Sequence, residues 1–90
     1  MKLISYQQVP SFLQKQSKNK MQCEMIVASF KRDRKIQIHK DNETYTLLTD
    51  GYEHEAYPEL SEKEMYKLLK KKMKLEFPRS HKLYVDIHDA

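Results

Sequence analysis

Between Gln22 and Tyr57 the chain switches repeatedly between short β-rich runs and polar turns, and no other feature limits its fold as much. Cys23 to Phe30 is mostly apolar and rich in strand-forming residues, as expected of a central strand. Lys31-Arg32-Asp33-Arg34 makes a charged turn, after which Lys35-Ile36-Gln37-Ile38-His39 alternates with period two and points Ile36 and Ile38 inward. Lys40-Asp41-Asn42-Glu43 reads as a second turn and Thr44 to Leu48 as a third strand. Asp50-Gly51 is the strongest hairpin signal, because a type I′ turn needs φ > 0 at both central positions. It predicts a fourth strand over Tyr52 to Tyr57, closed by Pro58. Four consecutive strands joined by short turns make an antiparallel meander.

The flanking segments add helices. Lys2 to Tyr6 suits a short strand, and Pro10 suits the first turn of a helix over Val9 to Gln16, where its missing N–H is not needed. Val9, Phe12, Leu13 and Gln16 share the helical stripe. Ser61-Glu62-Lys63-Glu64 is a capping box, and acids at 59, 62 and 64 suit the positive end of a helix dipole. The helix should run to about Phe77, ended by Pro78. Its apolar arc holds Met65, Tyr66, Leu68, Leu69, Met73, Leu75 and Phe77. Lys67, Lys70, Lys71 and Lys74 fill the opposite arc. Lys72 falls within the apolar arc, one turn before Glu76, and is expected to bridge to it at i,i+4. Lys82 to His88 alternates as a last strand, with Leu83, Val85 and Ile87 inward and Tyr84 outward. The whole reads as a single α+β domain over residues 1–90, its antiparallel sheet covered by helices on one face.

Composition narrows the functional classes. At 39% hydrophobic and 33% charged, with a single glycine, the chain is too apolar and too glycine-poor for a disordered tail. The lone glycine excludes nucleotide-binding loops of the Rossmann and P-loop kinds. The single cysteine, Cys23, allows no internal disulfide and no paired-cysteine metal site, and points to a reducing, cytoplasmic setting. His39, His54, His81 and His88 stand apart, without the face-matched spacing of metal ligands. Neither a metal nor a small-molecule cofactor is expected. The apolar run at the N-terminus is too short for a signal peptide, and no window approaches the ~20 apolar residues of a membrane span.

Charge is the most informative property. The net charge is +4, but residues 1–40 carry nine Lys/Arg and two acids, residues 41–64 eight acids and one Lys, and residues 65–90 seven Lys/Arg and three acids. Two basic blocks flank an acidic one. A non-enzymatic nucleic-acid-binding or regulatory domain would use Lys67, Lys70, Lys71 and Lys74 with Arg79 and Lys82. The hairpin tip would add Arg32 and Arg34, with Lys31 and Lys35 beside them. A lysine stripe is also the ordinary solvated face of an amphipathic helix. Exposed tyrosines among Tyr45, Tyr52, Tyr57 and Tyr84 would stack on bases, although tyrosine favours strands whatever the function.

Two other classes fit the residues. A protein-interaction module or homodimer would use a sheet edge, with Asp50, Glu53 and Glu55 as an acidic docking edge or as a guard against edge-to-edge aggregation. An RNA-cleaving enzyme would use Arg79, His81 and Tyr84, with Lys82 beside them, as phosphate clamp, base and acid. In size and charge the chain is similar to small basic toxin ribonucleases, without a shared motif.

Overall fold

In the computed structural model, which describes residues 2–29, 31 and 33–89, the period-two runs form β2 (Gln22–Ala28), β3 (Lys35–Asp41) and β4 (Thr44–Asp50), each antiparallel to the next. Phe30, at the expected end of the first meander strand, and Arg32, in the charged turn, lie outside the described residues. β1 (Lys2–Ser5), β5 (Ala56–Leu60) and β6 (Lys82–Asp89) complete a six-stranded sheet in the order β1-β6-β2-β3-β4-β5. The architecture is α+β, its six strands being a short first strand, the four of the meander and a C-terminal strand. The last strand does not add to an edge. It inserts between β1 and β2 and is antiparallel to both.

Register decides the two faces. Met25 lies opposite Ile38 and Ile87, Val27 opposite Ile36 and Val85, and Ile38 opposite Leu47. This set points to one side, where α1 (Val9–Ser17) supplies Val9 and Leu13 and α2 (Glu62–Glu76) supplies Met65, Leu69 and Met73. Together they form one core cluster. On α1 the buried fourth position is Ser17, while Gln16 is exposed, because the helix runs one residue further than its polar sequence suggested. α2 starts at the expected capping box: the Ser61 hydroxyl accepts from the Glu64 N–H, and the Glu64 carboxylate accepts from the Ser61 N–H. These bonds hold the Glu64 carboxyl below its usual range.

The tight hairpin is not at Asp50-Gly51. It lies at Asn42-Glu43, between paired Asp41 and Thr44, with Asn42 in the left-handed region at φ 58°. Asparagine tolerates that conformation better than most residues. Gly51 has no positive φ, and β4 continues to Asp50, which pairs with Lys35. Residues 51–55 form a loop, so the fourth meander strand begins at Ala56 rather than Tyr52. Glycine is needed at 51 for space: a Cβ there would lie 2.5 Å from Glu76 Oε1 and 2.9 Å from Arg34 Cβ.

Pro58 does not close the sheet but sits inside β5, which is tolerated because β5 is an edge strand. Beside it Glu59 takes φ 57°, and the β4–β5 register shifts between Tyr45 and Leu47. Glu59 is therefore a bulge residue, and the acids in the first turn of α2 are Glu62 and Glu64.

Candidate nucleic-acid interface

The lysine arc of α2 points to solvent, as its spacing required: Lys67, Lys70, Lys71 and Lys74 are all exposed. They form one wall of a shallow trough of about 770 Å³ between α2 and α1, whose other wall includes Pro10, Ser11 and Gln14. Lys63, hidden within the capping box, lines the same trough one turn earlier. Tyr66 lies among them, half-buried, and burial pushes its phenol above its ordinary range.

The trough continues past the end of α2. Lys74 also lines a second concavity of about 620 Å³ with Tyr6, Arg79 and His81. Phe77, Pro78, Arg79 and Ser80 are shared with a third, of about 420 Å³, that Lys31 and Arg34 complete. The turn after α2 thus joins the basic helix to the basic hairpin tip, two clusters more than thirty residues apart in sequence. Phe77 sets this turn: it caps α2 with φ −127°, donates its N–H to Met73 O, and buries its ring.

Among the described residues, no ion pair engages Lys63, Lys67, Lys70, Lys71, Lys74 or Arg79. Three carboxylates border the trough, and each already accepts a bond from the protein. Asp33 accepts from the Ser29 hydroxyl at 2.8 Å, which holds its carboxyl below the usual range. Glu62 accepts from Tyr45 Oη at 3.3 Å and Gln14 Nε2 at 3.4 Å. Glu76, 1% exposed, accepts from the backbone N–H of Tyr52 at 2.6 Å and of Glu53 at 3.1 Å.

Glu76 therefore does not bridge to Lys72. The buried Lys72 ammonium donates to Glu53 Oε1 at 2.8 Å and lies 4.9 Å from the Tyr57 ring centroid. Glu53 holds that ammonium above its ordinary range. The other acids of the loop are also engaged. Asp50 pairs with Lys35 and His54, and Glu55 accepts from the Tyr57 hydroxyl.

The remaining candidates separate. Arg34 is half-buried; its Nη1 donates to Glu76 O at 3.2 Å and its guanidinium lies 5.7 Å from the Tyr52 ring centroid. It braces the hairpin against α2 while still lining the trough. Lys82 is exposed and starts β6 opposite Ser5; its neighbours Ser5 and His81 line the second concavity, but Lys82 is not among the lining residues. Arg79 and His81 share a concavity, but Tyr84 does not join them. It lies on the open face of the sheet, in register with Leu3 and Ala28, and Tyr6 occupies the place beside His81. Of the tyrosines, Tyr45 is buried, Tyr57 and Tyr84 are half-buried, and Tyr52 is 70% exposed on the loop.

Lys63 was legible at i−4 from Lys67, though its acidic neighbours obscured it. Tyr6 carried no signal, because its place depends on the chain turning at Tyr6–Gln8 rather than continuing β1. Among the described residues no group of three metal-ligating side chains could hold an ion, and no helix is long and apolar enough to cross a membrane. Comparison with known protein families, with curated proteins and with solved structures finds no match to this chain.

Proposed function

We propose that this protein is a non-enzymatic nucleic-acid-binding domain that holds a phosphate backbone in the α1/α2 trough. The observation that carries the reading is a set of six cations: Lys63, Lys67, Lys70, Lys71 and Lys74 line the α1/α2 trough, Arg79 lines the adjoining concavity that shares Lys74, and among the described residues none is ion-paired. Lysines at i,i+3 and i,i+4 repel one another by a few tenths of a kcal/mol per pair. Phosphates would relieve that repulsion and release their own counterions. Buried, unpaired Cys23 is compatible with the cytoplasmic setting expected for such a domain.

The edge-pairing alternative has less support. β1 is only four residues long, and β5 contains Pro58 and the bulge at Glu59, so both edges are blunted against strand addition. The open face of the sheet breaks its apolar residues with charge, as in the row Asp86, Ile26, Gln37, Leu48.

The test is gel mobility of mixed DNA and RNA probes with pure protein at two salt concentrations. Six phosphate contacts predict a log–log salt slope of roughly −4 to −5. Changing Lys67, Lys70, Lys71 and Lys74 together to Glu should abolish the shift. No shift at low salt would refute the reading and favour a protein partner or self-association, to be sought by pull-down and by sedimentation.

A further inference from the structure

Resting on that reading, we infer that the trough takes single-stranded rather than duplex nucleic acid, with an unpaired base stacked on Tyr52 at its hairpin end. Three observations converge. The cations form one line, not two. Lys63 to Lys74 spans eleven residues of α2, about 16 Å at 1.5 Å per residue, which matches roughly five phosphates of one stacked strand. Proteins read a duplex by inserting a protruding helix or ribbon into a major groove about 12 Å wide. Here the exposed lysine face lies beside α1, whose Pro10, Ser11 and Gln14 form the facing wall. A duplex would meet that wall, whereas a single strand can lie along the floor.

The third observation is Tyr52. Its ring is 70% exposed, yet it is held in place: the Tyr52 N–H is fixed by Glu76 at 2.6 Å and the ring lies under the Arg34 guanidinium at 5.7 Å. Arg34 lines the far concavity of the trough, so the ring stands where a strand leaving Arg79 would emerge. An exposed ring fixed by its backbone, next to a guanidinium, is the platform on which unpaired bases stack, and a paired base within a duplex does not present its face.

The experiment is fluorescence anisotropy of the full chain with labelled single-stranded DNA and RNA of one sequence, and with the duplex of each. Single strands should bind at least about tenfold more tightly than duplex. Tyr52→Ala should weaken single-strand binding by roughly fivefold or more, the worth of one base stack. It should leave duplex binding unchanged, and Tyr52→Phe should retain the wild-type value. The side chain of Tyr52 makes no core contact, and its N–H remains available to Glu76, so circular dichroism of Tyr52→Ala should match wild type. A preference for DNA or for RNA identifies the source of the strand, and either supports the inference. Duplex binding as tight as single-strand binding, or a Tyr52→Ala variant with unchanged single-strand affinity, overturns it and leaves nucleic-acid binding standing. Failure of every probe at low salt overturns both.

Discussion

The acidic loop after β4 and the trough beside α1 treat charge in opposite ways, although α2 borders both. At the loop, Lys72 meets Glu53, Asp50 meets Lys35 and His54, and Glu76 is surrounded by backbone N–H donors. At the trough, five lysines of the same helix and Arg79 form no ion pair among the described residues. Desolvation explains the pairing of Lys72 and the bonding of Glu76, since a charge taken out of water must be bonded; the Asp50 pairs are exposed. It does not explain the trough, since exposed lysines need no partner and gain nothing by being adjacent. The loop's charges brace it against α2, and the proposed reading gives the trough's charges a ligand to act on.

The largest effect should come from removing the centre of the paired region. Glu76→Ala deletes an acceptor that is 1% exposed and leaves the N–H groups of Tyr52 and Glu53 unbonded. The expected loss is about 3 kcal/mol, which lowers the thermal midpoint by on the order of 15 °C in a domain of this size. A melt monitored by circular dichroism measures it. A midpoint within a few degrees of wild type would mean that the loop does not depend on this carboxylate and would break the comparison at its stronger end.

Lys72 and Lys70 sharpen the contrast within one helix. Lys72→Met keeps the apolar stem and removes the ammonium, leaving Glu53 without its cation. Because Glu53 keeps access to water, the expected cost is about 1–2 kcal/mol, below that of a fully buried pair. Chemical denaturation should show it as a shift of midpoint at constant slope, and nucleic-acid affinity should be unchanged. Loss of affinity at constant stability would place Lys72 in the wrong class.

Alkali should act on the folded core. Burial holds the Cys23 thiol and the Tyr45 and Tyr66 phenols above their ordinary ranges, and Glu53 holds Lys72 above its own. In each case the folded chain keeps a proton that the unfolded chain gives up, so the unfolded state binds fewer protons and stability falls as pH rises. The fall should begin near the free thiol value of about 8.5 and steepen near about 10, where free tyrosine and lysine titrate. Thermal midpoints flat from pH 8 to 11 would contradict the burial of these groups.

Much of this contrast was legible in the sequence, and the missing part has one physical origin. The capping box, the lysine arc, and the alternation of β3 are local patterns, and each appears in the structure where its period placed it. The mistakes concern partners distant in sequence. In sequence Gly51 reads as a turn glycine because dihedral freedom is the usual use of glycine. It is required instead by a carboxylate 25 positions away, whose Oε1 leaves no room for a Cβ. The i,i+4 spacing on the helix matches Lys72 to Glu76, but the loop's N–H groups take that carboxylate. The two basic clusters were visible, but not their junction at Arg79, which depends on where β6 enters the sheet.

The smallest expected effect separates the two regions most cleanly, because it has opposite signs for folding and for binding. Lys70 has Lys67 three residues before it and Lys74 four residues after, all exposed on the trough wall. Lys70→Glu turns two repulsions into two attractions, and a Glu four residues N-terminal to a Lys is the better orientation. The fold should gain about 0.5 kcal/mol, a rise of roughly 2–4 °C in thermal midpoint. Nucleic-acid affinity should fall by about tenfold at low salt, since one phosphate contact is lost and a like charge takes its place. A lysine that merely solvates a helix face would give the gain without the loss. A lysine that holds the fold would give a loss of stability. Only a residue whose charge serves a ligand gives the two results together.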